Sequence, residues 1–243
     1  MRAPALLRRA LMGVAIAAAL LTSACATSPV ADVNTFAQDT GRVSFEAFGG
    51  AVDPARTLVL PVAHDRQTAG AACGAHVLGS LVSYWFGADA LNGDALYAAQ
   101  PPAGAQGYSL IELTVLARAH GLFASAVRLD ETGVIHELES GRPVVIPVRL
   151  PSIYVQQRTI PAAQAPGVRT VRAAMTARVA HMSEMTRLAM VNHYLLAIGY
   201  DAERFVVMEP VMGLRTISRE RLARYRAPFA DAALVASRAA SGA

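Results

Sequence analysis

The sequence of 243 residues predicts a domain of the α+β class, with helices concentrated in its first half and strands in its second. Apolar residues recur at helical spacing after Cys73 and again after Ser109. Apolar runs of strand length then follow at 144–148, 193–200 and 204–208. Because these strands are grouped rather than separated by helices, the order favours α+β over a parallel sheet of alternating βαβ units.

The first predicted helix begins at Cys73 and ends before Gly87. A short apolar strand is predicted before it, at 57–62, and a short helix after it, at 92–99. The apolar residues of the first helix recur at spacings of three and four and form one stripe: Val77, Leu78, Leu81, Val82 and Trp85.

A capping box opens the next predicted helix. Ser109 caps its start while Glu112 reaches back to the cap, and Gly121 ends the helix. A strand at 122–129 and a short helix at 132–140 are predicted to follow, and they lead into the apolar strand that begins at Val144.

The segment 152–190 interrupts this order, and we interpret it as an insertion in the domain. It begins irregularly and then becomes rich in Ala, Met and Arg, which favours a helix in its second part. A connection of this length inside a compact domain is usually functional or mobile, so we expect a lid or wall of a substrate cleft. Its charged residues are one acid, Glu184, and five arginines: Arg158, Arg169, Arg172, Arg178 and Arg187.

The strands after the insertion are predicted to form a hairpin. The runs 193–200 and 204–208 are joined by the three residues Asp201-Ala202-Glu203. Ser218 caps a short helix that carries Leu222 and Tyr225, and further short strands are predicted at 216–217 and 233–236.

The N-terminus resembles the leader of a bacterial lipoprotein. Residues 1–24 combine a basic start, an apolar run of about 12 residues and small residues before Cys25. That run is too short to span a bilayer, which needs about 20 residues. The segment 21–25 resembles a lipobox, although Thr22 stands where Leu is usual. The alternative is a plain secretory signal followed by a cysteine of no special role.

The lipobox resemblance implies an anchored protein. Cys25 would carry the lipid, 25–52 would form the lipidated start and tether, and 53–238 would form the domain. Ala26, rather than Asp, follows Cys25, which in such lipoproteins implies transfer to the outer membrane. We therefore expect a membrane partner through the lipid, on the periplasmic face. A strand at 43–48 is also predicted.

The charge balance gives no support to nucleic-acid binding. All basic residues are Arg, and the formal net charge is +4. Removing the leader removes three Arg and no acid, so the net charge of the remaining chain falls to +1. No group of residues has the spacing of metal ligands, and no cofactor is indicated.

Cys73 is the candidate nucleophile. If Cys25 is lipidated, Cys73 is an unpaired thiol in an exported protein; it is either a small buried side chain or a reactive one. A thiol at the start of a helix has a lowered pKa, because free backbone N–H groups and the helix dipole favour the thiolate. Gln67 lies six residues upstream, where its carboxamide could stabilise an oxyanion, and Gly74 keeps the approach to the thiol open.

These residues resemble the papain-like peptidases that remove double-glycine leaders from bacteriocins. The motif is Gln67-x5-Cys73-Gly74, and four later segments follow in the family's order: 107–117, 138–148, 193–200 and 208–210. The resemblance spans about residues 60–212. It implies a papain-like fold in which the nucleophile helix packs on an antiparallel sheet. It also implies that Cys73 attacks, Gln67 forms the oxyanion hole and His193 is the base.

His193 opens an apolar strand, a position typical of site residues, although a lone histidine is more often a satisfied core residue. Its place in the order of motifs favours the role of base, and His181 in the insertion is the rival base. Glu209 stands where the family has Asp or Asn. The predicted hairpin places Glu209 at the same end as His193, so it could orient the imidazole. Otherwise it is an ordinary acid at a strand end.

The predicted function is that of an exported cysteine peptidase that cleaves a peptide or protein by a Cys-His-acid mechanism. Leader processing and an accessory role in a secretion system are the candidate settings. Apart from the leader, no membrane-spanning segment is expected. One alternative is a catalytically inactive peptide-binding domain of the same fold, and another is a transferase that passes the acyl group to an amine.

Overall fold

The structure is a computed structural model in which residues 57–68, 70–155 and 166–238 are described. The predicted leader, the lipidation site Cys25, the tether and the strand at 43–48 lie outside the described residues. Within the described ranges, no helix is both long enough and apolar enough to cross a membrane.

Six α-helices and seven β-strands are present in the described ranges. The helices are α1 (Cys73–Phe86), α2 (Gly93–Ala99), α3 (Leu110–Ala119), α4 (Glu131–Glu139), α5 (Pro166–Thr186) and α6 (Arg219–Arg226). The strands are β1 (Leu58–Val59), β2 (Leu122–Arg128), β3 (Val144–Pro151), β4 (Met190–Tyr200), β5 (Arg204–Glu209), β6 (Gly213–Ser218) and β7 (Ala232–Arg238). Short 3₁₀ turns at Ser152–Tyr154 and Ala227–Phe229 follow β3 and α6.

The seven strands form one antiparallel sheet. The strand order is β2-β7-β3-β4-β5-β6, and β1 pairs with the far end of β4. The central strands β3 and β4 pair continuously, from Val144 opposite Ala197 to Pro151 opposite Met190. This pairing extends both strands beyond their predicted ends. The added residues do not show the apolar pattern of a strand, but the neighbouring strand provides hydrogen-bond partners for their backbone groups.

Helix α1 packs against β4 and against the neighbouring helices α2 and α3. Its residues from Gly74 to Val82 are all buried, so the helix lies inside the domain rather than on its surface. Gly74 allows the approach of α3, because a Cβ at this position would lie 3.2 Å from side-chain atoms of Leu113 and Tyr108. The prediction of an α+β fold with the Cys73 helix packed on an antiparallel sheet is confirmed.

The predicted strand at 57–62 is shorter in the structure. Only Leu58 and Val59 pair with β4, and the chain then enters the loop that carries Gln67. Gly199 makes this pairing possible, because a Cβ there would lie 2.1 Å from the carbonyl oxygen of Leu58. The pairing of β4 with β5 also shifts register between Ala197 and Gly199. This irregularity lies at the opposite end of β4 from His193.

Candidate active site

The candidate site is a cavity of about 340 Å³ at the start of α1. Gln67, Cys73 and His193 all line it. Cys73 is the first residue of α1, and its side chain is half-buried. Backbone groups of Gly74 and Tyr194 hydrogen-bond to the sulfur and help to lower the pKa of the thiol. The structure thus brings three sequence-predicted residues together, although they are separated by up to 126 positions in the chain.

His193 lies near the beginning of β4, opposite Val148 of β3, and is buried. Its Nε2 donates a hydrogen bond to Oε1 of Glu209 over 2.7 Å. The ring also forms a hydrogen bond with the Cys73 side chain, and Nδ1 is the nitrogen left for that contact. The imidazole therefore joins the thiol on one side to a carboxylate on the other, which is the order of a Cys-His-acid triad.

Glu209 is the last residue of β5 and is completely buried. The turn that follows it holds the carboxylate, because the backbone N–H of Val211 donates to Oε1 over 2.9 Å and that of Met212 donates to Oε2 over 2.6 Å. Three hydrogen bonds thus fix a charged group that would otherwise be costly to bury. The predicted hairpin brings Glu209 to the end of the sheet at which His193 lies, and the longer side chain of Glu reaches the ring.

Gln67 lies in the loop between β1 and α1, with only 6% of its surface exposed. Its Nε2 donates to the carbonyl oxygen of Gly70 over 2.7 Å, and its backbone N–H donates to that of Pro210 over 2.9 Å. Contacts at both ends of the residue therefore fix the carboxamide in the cavity that Cys73 also lines. An amide nitrogen in this position is a suitable donor to an oxyanion that forms at the carbon attacked by sulfur.

The protonation states of Cys73 and His193 are coupled. Burial raises the pKa of Cys73, but the hydrogen bond and the positive charge of His193 outweigh it, so the pKa is lowered. Burial lowers the pKa of His193, but the hydrogen bonds with Cys73 and Glu209 raise it to about 9. Both shifts therefore favour the pair of thiolate and imidazolium, the nucleophilic form of such a site.

A search of solved structures finds the same fold at low sequence identity. A Bacillus anthracis protein described as a C39-like peptidase is 13% identical, with a TM-score of 0.52, over 76% of this chain and 99% of that chain. The chain has the C39-like peptidase fold. At this identity the likeness shows the fold alone, and the roles of individual side chains depend on their geometry.

Two further structures with peptidase descriptions are similar. One is a double glycine motif protease from an AMS/PCAT transporter, in complex with the leader peptide; it is 14% identical, with a TM-score of 0.43, over 73% of this chain and 92% of that chain. The other is the peptidase domain of Streptococcus ComA, a bi-functional ABC transporter; it is 14% identical, with a TM-score of 0.48, over 74% of this chain and 98% of that chain. No protein-family model and no curated protein matches the chain.

The C39-like fold of this chain contains a buried group that the sequence analysis missed. His76 is fully buried on α1, three residues after Cys73, and lies between two carboxylates. Its Nδ1 is 3.0 Å from Oδ1 of Asp65, and its Nε2 is 3.2 Å from Oδ1 of Asp94 at the start of α2. Burial lowers the pKa of His76, but the interactions with Asp65 and Asp94 raise it above its ordinary value.

This Asp65–His76–Asp94 cluster supports the loop that carries Gln67. Asp65 also accepts the backbone N–H of Gly93 over 2.5 Å, and its own N–H donates to Ser80 Oγ over 3.0 Å. The loop is thus tied to both α1 and α2 only two residues before Gln67. The sequence places Asp65 two residues before Gln67 and His76 three residues after Cys73. These positions near the candidate site residues were the available signal, but they do not indicate that Asp65 and His76 are in contact.

Pro210 connects Glu209 with the loop that carries Gln67. Its carbonyl oxygen accepts the backbone N–H of Gln67, as well as Nε2 of His64 over 2.8 Å. Pro210 directly follows Glu209, whose side chain holds His193. One short segment therefore positions both the His193 imidazole and Gln67, and His64, an exposed residue, hydrogen-bonds to that segment from outside.

The structure does not support His181 as a rival base. His181 is exposed on α5 and lines a different cavity, in which Cys73 takes no part. From the described part of the predicted insertion, Val155 contributes to the Cys73 cavity. In the ranges that the structure describes, no three His, Cys, Asp or Glu side chains form a group that could hold a metal ion.

Proposed function

We propose that this protein is a cysteine peptidase in which Cys73, His193 and Glu209 form the catalytic triad. The observation that carries the proposal is the chain of hydrogen bonds from the Cys73 thiol through the imidazole to the buried Glu209 carboxylate. A cysteine that only fills space in the core has no need of a histidine whose pKa is raised and whose ring is held by a carboxylate. Perturbed titration of a buried pair within a cavity is typical of a catalytic site.

The reaction follows from the positions of these groups. The Cys73 thiolate forms a C–S bond with the peptide carbonyl carbon, and the carbonyl electrons move to oxygen. Gln67 Nε2 and the Cys73 backbone N–H stabilise that oxyanion. When the oxygen electrons return, the C–N bond breaks, and the imidazolium of His193 gives its Nδ1 proton to the leaving amine.

Deacylation repeats these steps with water in place of the amine. Neutral His193 removes a proton from water, hydroxide oxygen bonds to the acyl carbon, and the C–S bond breaks to release the acid and restore the thiolate. Glu209 retains its negative charge throughout and stabilises each imidazolium that forms. If an amine replaced water at this stage, the same residues would carry out the acyl transfer that the transferase alternative requires.

We further propose that the peptidase acts outside the cytoplasm, held at the periplasmic face of the outer membrane by a lipid on Cys25. The sequence of the leader and Ala26 are the support for this proposal. The substrates would then be exported peptides or proteins, and leader processing or an accessory role in a secretion system are the settings proposed. The Cys25→Ala variant tests the anchor. It should no longer incorporate labelled palmitate, and it should no longer be recovered in the membrane fraction.

The catalytic proposal is tested with the wild-type protein and its Cys73→Ala variant on a proteome-derived peptide library. Mass spectrometry should find new peptide termini with the wild type and none with the variant, whose circular dichroism and melting temperature should be unchanged. Iodoacetamide at neutral pH should label Cys73 and abolish activity. Cys25→Ala is the matched control, because it removes the other cysteine and should leave cleavage intact.

The inactive peptide-binding domain makes the opposite prediction. In that case Cys73 would resist alkylation in the folded protein, and the wild type would bind peptides without producing new termini. The catalytic proposal would also be refuted if the Cys73→Ala variant cleaved peptides as well as the wild type. The activity would then belong to different residues or to a contaminant.

A further inference from the structure

A second cavity, of about 720 Å³, lies between β3, α5 and α6 and is lined mainly by cations and apolar groups. The cations are Arg149 on β3, Arg187 after α5 and Arg224 on α6, with His181 beside them. The apolar part includes Met185, Met190 and Pro228. Glu184, Tyr225 and Ala227 complete the lining, and we call this cavity the basic cavity.

The charge of the basic cavity is not balanced within the described residues. Neither Arg149 nor Arg187 forms an ion pair with another described residue, and both side chains are exposed. Arg224 reaches Glu220 only at 4.0 Å, with more than half of each side chain exposed. Glu184 is the one acid in the lining, and its Oε1 accepts the hydroxyl of Tyr225. The cavity therefore favours an anionic group that has apolar neighbours.

The basic cavity adjoins the Cys73 cavity across β3 and β4. Arg149 lies directly opposite Asn192 in the pairing of these strands, and Asn192 lines the Cys73 cavity. Directly paired residues of antiparallel strands are about 5 Å apart at Cα. Along β4 itself, Met190 of the basic cavity and His193 are three residues apart, or roughly 10 Å at Cα, and their side chains project from opposite faces of the sheet. A bound peptide that passes the ends of β3 and β4 could thus reach both cavities.

We propose that the basic cavity is an exosite for an acidic side chain of the peptide substrate, a few residues from the scissile bond. This rests on the proposed peptidase function. An extended peptide advances by about 3.3 Å per residue, so an acid three to six residues from the cleaved bond would reach Arg149 and Arg187. Apolar residues beside that acid would contact Met185 and Met190. The specificity of the enzyme would then depend on a carboxylate that takes no part in the chemistry.

A membrane surface is the competing partner, because α5 also exposes large apolar side chains, among them Met175, Val179 and Met182. The cavity favours the peptide on two grounds. It is concave, which suits a single side chain rather than a flat lipid surface. It also lies beside the Cys73 cavity, since Arg149 of one cavity pairs with Asn192 of the other. A peptide substrate would use this proximity, whereas a lipid would not.

Cleavage specificity provides the first test. The wild type, the double variant Arg149→Gln/Arg187→Gln and the control Arg128→Gln, an exposed arginine on β2, are given the same peptide library. The wild type and control should show Asp or Glu enriched at one fixed position near the cut. The double variant should lose that enrichment yet cleave acid-free peptides at the wild-type rate. Enrichment that survives in the double variant overturns the exosite.

Binding provides the second test, and it does not depend on catalysis. In the Cys73→Ala background, fluorescence polarisation compares a labelled dodecapeptide containing two Glu among Leu and Ala with its Gln twin. The Glu peptide should bind about tenfold more tightly, the size expected of two partly exposed ion pairs, and Arg149→Gln/Arg187→Gln should remove the difference.

The two proposals fail in different ways. If the wild type cleaves nothing while the Glu peptide still binds more tightly than its Gln twin, the peptidase function is refuted and the exosite is retained as a peptide site. Equal affinity for the two peptides overturns the exosite even if cleavage is observed. The exosite is also overturned if the double variant loses binding to phosphatidylglycerol vesicles while its peptide binding is unchanged, since the membrane is then the partner.

Discussion

Replacing Glu209 by Gln tests the least typical member of the proposed triad with the smallest change in shape. The carboxylate accepts three hydrogen bonds, from His193 Nε2, Val211 N and Met212 N. A carboxamide offers one accepting oxygen and one NH₂ group, so the oxygen can serve His193 and Val211 while the NH₂ faces the Met212 N–H. The variant therefore loses the negative charge behind the imidazole and leaves the Met212 N–H without its charged acceptor.

The size of the effect follows from these contacts. A hydrogen bond to a charged group contributes about 1.5–3 kcal/mol, which corresponds to a loss of about 10- to 150-fold in kcat/KM. The unpaired Met212 N–H should lower the free energy of unfolding by about 1–3 kcal/mol. Because Glu209 raises the pKa of His193, its removal should also move the alkaline limb of the pH–rate profile, near pH 9 in the wild type, to lower pH.

The assay is kcat/KM for one peptide from the library, measured from pH 5 to 10, beside urea unfolding of each variant. Glu203→Gln, the same chemical change at an exposed position, is the control and should match the wild type in both measurements. A structural role alone would lower activity at every pH without moving the alkaline limb. Wild-type kcat/KM with an unchanged limb in Glu209→Gln would remove Glu209 from the mechanism.

Three further predictions concern the other buried groups. The wild-type kcat/KM should be bell-shaped in pH, rising through the lowered pKa of Cys73 and falling as pH rises through about 9, where His193 loses its proton; a flat profile from pH 6 to 10 would contradict this assignment. Gln67→Ala should lower kcat by about 100-fold while iodoacetamide still alkylates Cys73 at the wild-type rate, since only the oxyanion donor is lost; unchanged kcat would exclude that role. The raised pKa of His76 gives stability that is fully present below pH 6.5 and lost as pH rises through the folded-state value, so His76→Gln should lower the urea midpoint more at pH 5 than at pH 9; an equal loss at both would refute the ionic role.

The backbone framework around Cys73 could be predicted because its signals are local. The helix that begins at Cys73, the capping box of Ser109 and Glu112, and the hairpin after Tyr200 each depend on residues within a few positions of one another. The hairpin in particular places His193 and Glu209 at one end of the sheet. Non-local pairing explains the differences: β3 and β4 extend to Pro151 and Met190 because they are partners, a fact that neither segment shows alone.

The supports of the site could not be predicted, because they bring together residues from different elements. Asp65, His76 and Asp94 meet only because α2 packs against α1, and glycines leave the space for them. A Cβ at Gly79 would lie 2.1 Å from an Asp65 oxygen, and one at Gly93 would lie 2.5 Å from the His76 ring. In the sequence these glycines look like ordinary small residues.

The substitution of Glu for the shorter acid was also ambiguous in the sequence. An extra methylene moves the carboxylate by about 1.5 Å, which could have carried it past the imidazole. The turn after β5 resolves this, because the Val211 and Met212 N–H groups hold the carboxylate at the distance that His193 needs. The longer side chain of Glu209 and the geometry of the turn compensate for each other. The side-chain length can be read from the sequence, but the turn geometry is known only from the structure.

The coupling of Cys73 and His193 explains why the order of motifs in the sequence was more informative than either residue. Burial alone raises the pKa of the thiol and lowers that of the imidazole, so each residue by itself would remain neutral and inert in this setting. Their mutual interaction, with Glu209 behind it, reverses both shifts. In the proposed mechanism, a reactive thiolate is therefore a property of Cys73, His193 and Glu209 together, and the prediction depended on all three occurring in the family's order.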